Sequence, residues 1–97
     1  MLLRYHVGGH YKAHTDAAKG VIAGRRISVI VQLSDPDDYR GGEVRIIDAE
    51  HTIARQRGTA TLFPADMLHQ VHPVITGRRY ALITWIWSRS SAPGTGS

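Results

Sequence analysis

Apolar residues along this chain come in short, β-branched runs cut by Gly, Pro and Asp, and that rhythm limits the fold more than any other feature. Residues 2–7 read as a first strand, ended by Gly8 and Gly9. Residues 10–16 alternate as a second. The run at 27–33 (ISVIVQL) is β-branched and apolar on both faces, which suits a buried strand. A loop dense in turn formers, SDPDDYRGG, covers 34–42. Strands are then predicted at 43–47, 52–55, 59–63, 70–75 and 80–87, with Gly58, Pro64 and Gly77 as punctuation. The one weak helical candidate, 17–23, is broken by Gly20 and Gly24 and reads as a loop. About eight short strands at close spacing predict an all-β sandwich or jelly roll.

The length, 97 residues, allows one domain with a modest core. Residues 1–88 are predicted to form it. Residues 89–97, part of the run SRSSAPGTGS, are too rich in Ser and Gly to pack and are predicted to be disordered. The absence of cysteine excludes disulfides, zinc–thiolate sites and thiol nucleophiles. Six histidines leave histidine and oxygen metal sites open. Met1 to Leu3 is apolar, but Arg4 cuts it short of a signal segment. No apolar run is long enough to cross a bilayer as a helix, so a soluble, cytoplasmic protein without a membrane partner is expected. The formal charge of +4 comes with no basic run longer than two residues and no interleaved aromatics, so it does not argue for nucleic acid.

The chemistry is carried by a few spaced residues. His14 and Asp16 are two apart in a strand-like segment, so their side chains project to one face and can converge on one point. His69 lies among residues that otherwise read as buried, in LFPADMLHQVHPV. Two histidines and a carboxylate leave half of an octahedral shell open, the facial arrangement of non-haem Fe(II) oxygenases. His72 competes with His69 as the third ligand. Ten residues after His69 comes Arg79, at the head of the last apolar strand, whereas ten after His72 comes Leu82. Arg79 suits an anion in an apolar pocket, because guanidinium is planar and permanently charged. Arg78 is the lesser candidate.

The segment RYHVGGHYKAHTD (4–16) resembles the start of the catalytic domain of prolyl 4-hydroxylases. The block LSDPDDYRGGE (33–43) looks closer still to PKHD-type hydroxylases, a bacterial branch of the same group. Leu62-Phe63-Pro64, Leu68-His69, Pro73-Val74, Gly77 and Arg79 match that branch too, so the resemblance runs from about Leu3 to Ser88. It implies a double-stranded β-helix (a cupin-like jelly roll) with little or no helix. It further implies an Fe(II)- and 2-oxoglutarate-dependent dioxygenase that hydroxylates an unactivated C–H bond with O₂, giving succinate and CO₂. Ascorbate is the accessory cofactor this resemblance suggests. The implied iron ligands are His14, Asp16 and His69. Arg79 would bind the distal carboxylate of 2-oxoglutarate, Tyr5 would contribute a hydroxyl to it, and Trp85 is similar to a pocket-lining Trp of related hydroxylases. By strand parity Trp85 shares a face with Arg79, Ala81 and Ile83. Tyr11 is a candidate substrate contact.

Two departures from the pattern stand out. Relatives carry further N-terminal structure behind the barrel, so homodimerisation or a longer parent chain is an alternative here. Gln32 stands where some relatives place a co-substrate-binding Tyr. The expected substrate is a prolyl or similar residue of a peptide or protein, or a small metabolite. The nucleic-acid demethylase branch carries a second Arg six residues after the co-substrate Arg, where this chain has Trp85. The rival readings are a non-catalytic cupin-like module that binds a metal or small molecule, and a plain β-sandwich interaction domain.

Overall fold

The computed structural model describes residues 1–16 and 24–87. The loop expected at 17–23 and the tail expected at 89–97 lie outside the described residues. Among those described there are ten strands and one short 3₁₀ turn, Pro36–Asp38. No helix among them is long and apolar enough to cross a membrane. One antiparallel sheet runs β1 (Leu2–Tyr5), β10 (Arg79–Trp87), β3 (Arg25–Gln32), β7 (Ala60–Pro64). The second runs β2 (Tyr11–His14), β8 (His69–Val71), β5 (Val44–Ile46), β6 (His51–Thr52). A two-stranded ribbon joins β4 (Tyr39–Gly41) to β9 (Val74–Gly77). The chain leaves one sheet for the other at nearly every connection, and that winding is the double-stranded β-helix.

Alternation along the strands builds the core. β3 buries Ser28, Ile30 and Gln32, and β10 buries Arg79, Ala81 and Ile83. Ile30, Phe63, Ala81 and Ile83 from the first sheet meet Val44, Ile46 and Val71 from the second in one cluster. Several outward residues of the first sheet are also apolar, with Leu2, Leu62 and Ile86 exposed.

Ten strands stand where eight were predicted, for two physical reasons. The run predicted at 70–75 is two strands, because His72 and Pro73 interrupt it and Pro73 has no N–H for a ladder. The predicted loop 34–42 hides β4, whose Tyr39 is buried. Its turn formers serve a break in the ladder: Gly41 and Gly42 adopt positive φ of 77° and 67° opposite Pro73. Gly42 N–H donates to the Pro73 carbonyl at 3.1 Å. The strand predicted at 52–55 is shorter, β6 alone, although Ile53 still reaches the core and its N–H donates to the Val44 carbonyl.

These contacts order the cost of substitutions. A Cβ on Gly41 would sit 2.4 Å from the Pro73 carbonyl oxygen in a left-handed backbone. Gly41→Ala is therefore expected to destabilise by more than about 1 kcal/mol. Ile46→Ala, at a side chain 2% exposed, is expected to cost roughly 2–5 kcal/mol. Leu62→Ala, at 57% exposure, should stay within about 0.5 kcal/mol. Urea midpoints of the three variants test the ranking, and a Leu62 effect matching Ile46 would contradict it.

Candidate active site

Strand pairing brings the first two imidazoles together. His14 ends β2 and lies directly across the ladder from His69, the first residue of β8, with ring centroids 4.2 Å apart. Asp16 follows β2, and its N–H is fixed on the Ala65 carbonyl at 2.8 Å. Asp16 Oδ1 stands 3.3 Å from His14 Nε2 and 3.4 Å from His69 Nε2. One ligand atom from each of the three residues lies within 4.8 Å of the other two.

The other atoms of these side chains are held so that their lone pairs converge. His14 Nδ1 donates to the Lys12 carbonyl at 2.7 Å, and His69 Nδ1 donates to the Met67 carbonyl at 3.0 Å. A carbonyl can only accept, so Nδ1 carries the proton in both rings and Nε2 is left to face the centre. Asp16 Oδ2 accepts from Ser28 Oγ on β3 at 2.5 Å and from Trp85 Nε1 on β10 at 3.2 Å, which leaves Oδ1 for the histidines. Burial by itself would push the Asp16 carboxyl up. Donation from His69, Ser28 and Trp85 outweighs it and holds the group well below the usual carboxylate range. Burial likewise favours a neutral His69, but hydrogen bonding to Asp16 and to the Met67 carbonyl raises its pKa. Two imidazoles with Nε2 turned to one point and an ionised carboxylate with supported outer atoms fit a divalent transition metal, and the donor set suits iron.

Arg79 begins β10 and is 1% exposed. Its Nη2 donates to Gln32 Oε1 at 3.1 Å, and its guanidinium carbon lies 5.1 Å from the Tyr5 ring centre. Burial lowers its pKa, opposed by Tyr39 and Tyr5 alongside. None of the eight acidic side chains of the sequence makes an ion pair with it, and among the described residues its buried Nε has no hydrogen-bond partner. A buried cation left with only neutral partners is costly, so this one is poised for an anion. The Tyr5 hydroxyl shares the pocket, its pKa raised by burial against the pull of Arg79.

One cavity of about 210 Å³ is lined by His14, Asp16, His69 and Arg79, with Leu3, Ile30, Val71 and Ile83 among the apolar walls. Trp85 lines it as well, in touch with Asp16. Tyr11 stacks on His14 at 4.1 Å and is 51% exposed. His72 stays outside the cluster, 3.9 Å from Glu43, and Arg78 is exposed. Sequence reasoning missed Ser28, Tyr39 and Arg25, and it noted Gln32 only as a departure from a co-substrate-binding Tyr, without its bond to Arg79. Ser28 was findable, as a polar residue sharing the inward parity of Ile30 and Gln32 in an apolar strand. Arg25 was not. A bulge pairs Ile86 with Ile27 but Trp87 with Arg25, so Arg26 is the extra residue. That shift turns Arg25 from the outward face of Ile27 and Val29 into the cavity, where its guanidinium lies 3.5 Å over the Trp85 ring.

Two outcomes follow for a bound divalent metal. Ser28→Ala removes a donor to Asp16 Oδ2 and is expected to weaken metal binding by roughly 10–100-fold. A proton held by His69 below its raised pKa competes for the same Nε2. Metal affinity should therefore be low on the acid side and climb as pH rises through that pKa. Competitive chelator titrations read both effects, and a flat pH profile would contradict the second.

Comparison with known proteins agrees with this geometry. The family model described as the 2OG-Fe(II) oxygenase superfamily matches residues 1–87. A PKHD-type hydroxylase of Hyphomonas neptunium is 40% identical over 94 residues, covering 89% of this chain and 42% of the relative. One from a Polaromonas species is 42% identical over 87 residues, covering 81% of this chain and 38% of the relative. The chain thus spans about two fifths of the length of these curated relatives. A viral collagen prolyl hydroxylase from Paramecium Bursaria Chlorella virus-1, solved with 2OG, superposes with TM-score 0.73 at 25% identity, over 90% of this chain and 56% of that one. A Pseudomonas putida prolyl-4-hydroxylase gives TM-score 0.76 at 24% identity, over 92% and 51%. With the family model spanning both sheets and every residue around the cavity, the chain belongs to the 2OG-Fe(II) oxygenase superfamily.

Proposed function

We propose that residues 1–88 are the catalytic core of an Fe(II)- and 2-oxoglutarate-dependent hydroxylase. The observation that carries this reading is one cavity shared by a His-Asp-His cluster and a buried guanidinium that no carboxylate among the described residues neutralises. A metal-binding module alone has no use for the second feature. His14, Asp16 and His69 hold the iron. Arg79 takes the distal carboxylate of 2-oxoglutarate, with the Tyr5 hydroxyl beside it. Ser28 and Trp85 keep Asp16 Oδ1 aimed at the metal, and Trp85 also walls the pocket. Leu3, Ile30 and Ile83 keep water from the space between the charged ends.

Iron with 2-oxoglutarate supplies the oxidising power, one atom of O₂ entering a C–H bond and the other leaving in succinate as CO₂ is released. Ascorbate completes the proposed cofactor set as a reductant. The proposed substrate is a prolyl or similar residue of a peptide or protein, or a small metabolite. The PKHD-type hydroxylases and the prolyl hydroxylases among the matched proteins support that class.

Anaerobic titration of the Fe(II)-loaded chain with 2-oxoglutarate tests the reading without a known substrate. A weak visible charge-transfer band is expected. Arg79→Ala should keep iron and lose the band, and Arg78→Ala should keep both. His14→Ala, Asp16→Ala and His69→Ala should each lose iron. Iron binding without a band in the parent chain would replace the hydroxylase with a metal-binding module.

A further inference from the structure

Gln32 closes β3 with its side chain turned inward, 2% exposed. Its backbone is pinned on both sides: its N–H donates to the Thr59 carbonyl at 3.0 Å, and its carbonyl accepts from Gly58 N–H at 2.7 Å. The amide is oriented as well. Nε2 donates to the Ala54 carbonyl at 3.2 Å, and a carbonyl cannot donate in return. Oε1 is therefore turned toward Arg79, whose Nη2 donates to it at 3.1 Å.

This contact differs from an ion pair in one respect that matters. An amide oxygen fixes where the guanidinium sits without cancelling its charge. The Arg79 stem is bounded too, since a Cβ on Gly42 would come within 3.3 Å of Arg79 Cδ. A long side chain with several free torsions is thus held at one reach into the cavity, with Gln32 holding its Nη2 and Tyr5 and Tyr39 alongside. The metal-ligand cluster at the other site of the same cavity is equally fixed, through Ser28, Trp85 and the Lys12 and Met67 carbonyls. A ligand that must touch both has one permitted length.

We infer that Gln32 is a specificity-determining positioning residue, setting the chain length of the 2-oxo dicarboxylate by holding Arg79 at a fixed distance from the metal ligands. The inference rests on the proposed hydroxylase reading and adds to it the residue that gauges the co-substrate. The acid one methylene longer, 2-oxoadipate, would need Arg79 to retreat, which its bond to Gln32 resists. Losing that bond frees the guanidinium to follow the longer acid.

The test compares 2-oxoglutarate with 2-oxoadipate by anaerobic titration of the Fe(II)-loaded protein, reading binding from the visible band without turnover. The parent is expected to favour 2-oxoglutarate by roughly 10–200-fold, the range one methylene commands in a fitted pocket. Gln32→Met keeps the volume and removes both hydrogen bonds. It should shrink the preference by about tenfold, chiefly by improving 2-oxoadipate, while iron affinity holds. Gln32→Glu places a carboxylate against Arg79 and should lose the band with both acids while iron still binds. Thermal melts of both variants accompany the titrations, and since Gln32→Met conserves volume, the length preference is read on a folded protein even if Gln32→Glu fails. An unchanged preference in folded Gln32→Met overturns the inference and leaves the hydroxylase reading standing. A parent that binds iron but gives no band with either acid removes the reading beneath it.

Discussion

The carboxylate of Asp16 receives Ser28 from β3 and Trp85 from β10 on one oxygen, and faces imidazoles from β2 and β8 with the other. Both sheets therefore send groups to a single side chain. A group so buried stays ionised only because donors outnumber what desolvation takes away. The consequence runs in both directions. The two sheets must keep their relative position for the donors to reach, and the donors help to hold the sheets together. A site of this kind is part of the fold, not an addition to it.

Arg79 presents the opposite case, a charge the fold does not neutralise. Tyr5, Tyr39 and Gln32 surround it with neutral polarity, enough to place it but not to cancel it. A salt bridge here would stabilise the empty protein and close the pocket to an anion. Leaving the charge open costs stability in the empty protein and reserves the favourable pairing for a ligand. The apolar strand that follows makes the bargain sharper, because Ala81 and Ile83 deny water to the same space.

How much of this is legible in the sequence depends on range. Period-two alternation located most strands and the shared face of Arg79, Ala81, Ile83 and Trp85, because those relations are local to one strand. The His14–Asp16 spacing is legible for the same reason. The split of 70–75 and the hidden β4 were not, since Gly41-Gly42 looks like an ordinary turn until Pro73 is known to lie opposite. Ser28 sat in plain view, but an apolar strand invites attention to its hydrophobes, and Gln32 stood out as a departure without showing its partner Arg79. Tyr39 was lost inside a stretch whose composition says loop. What escaped in every case was a partner distant along the chain.

The bulge at Arg26 extends that point to how such a cavity changes over generations. One additional residue in β3 decides whether the side chain before it joins the apolar outer face or stacks on Trp85 beside the metal ligands. Deleting it would turn Arg25 to the opposite face of that strand, without altering a single remaining side chain. The lip of the pocket is thus governed by a count of residues, and a lineage could acquire or discard a positive charge there through one in-frame codon gained or lost.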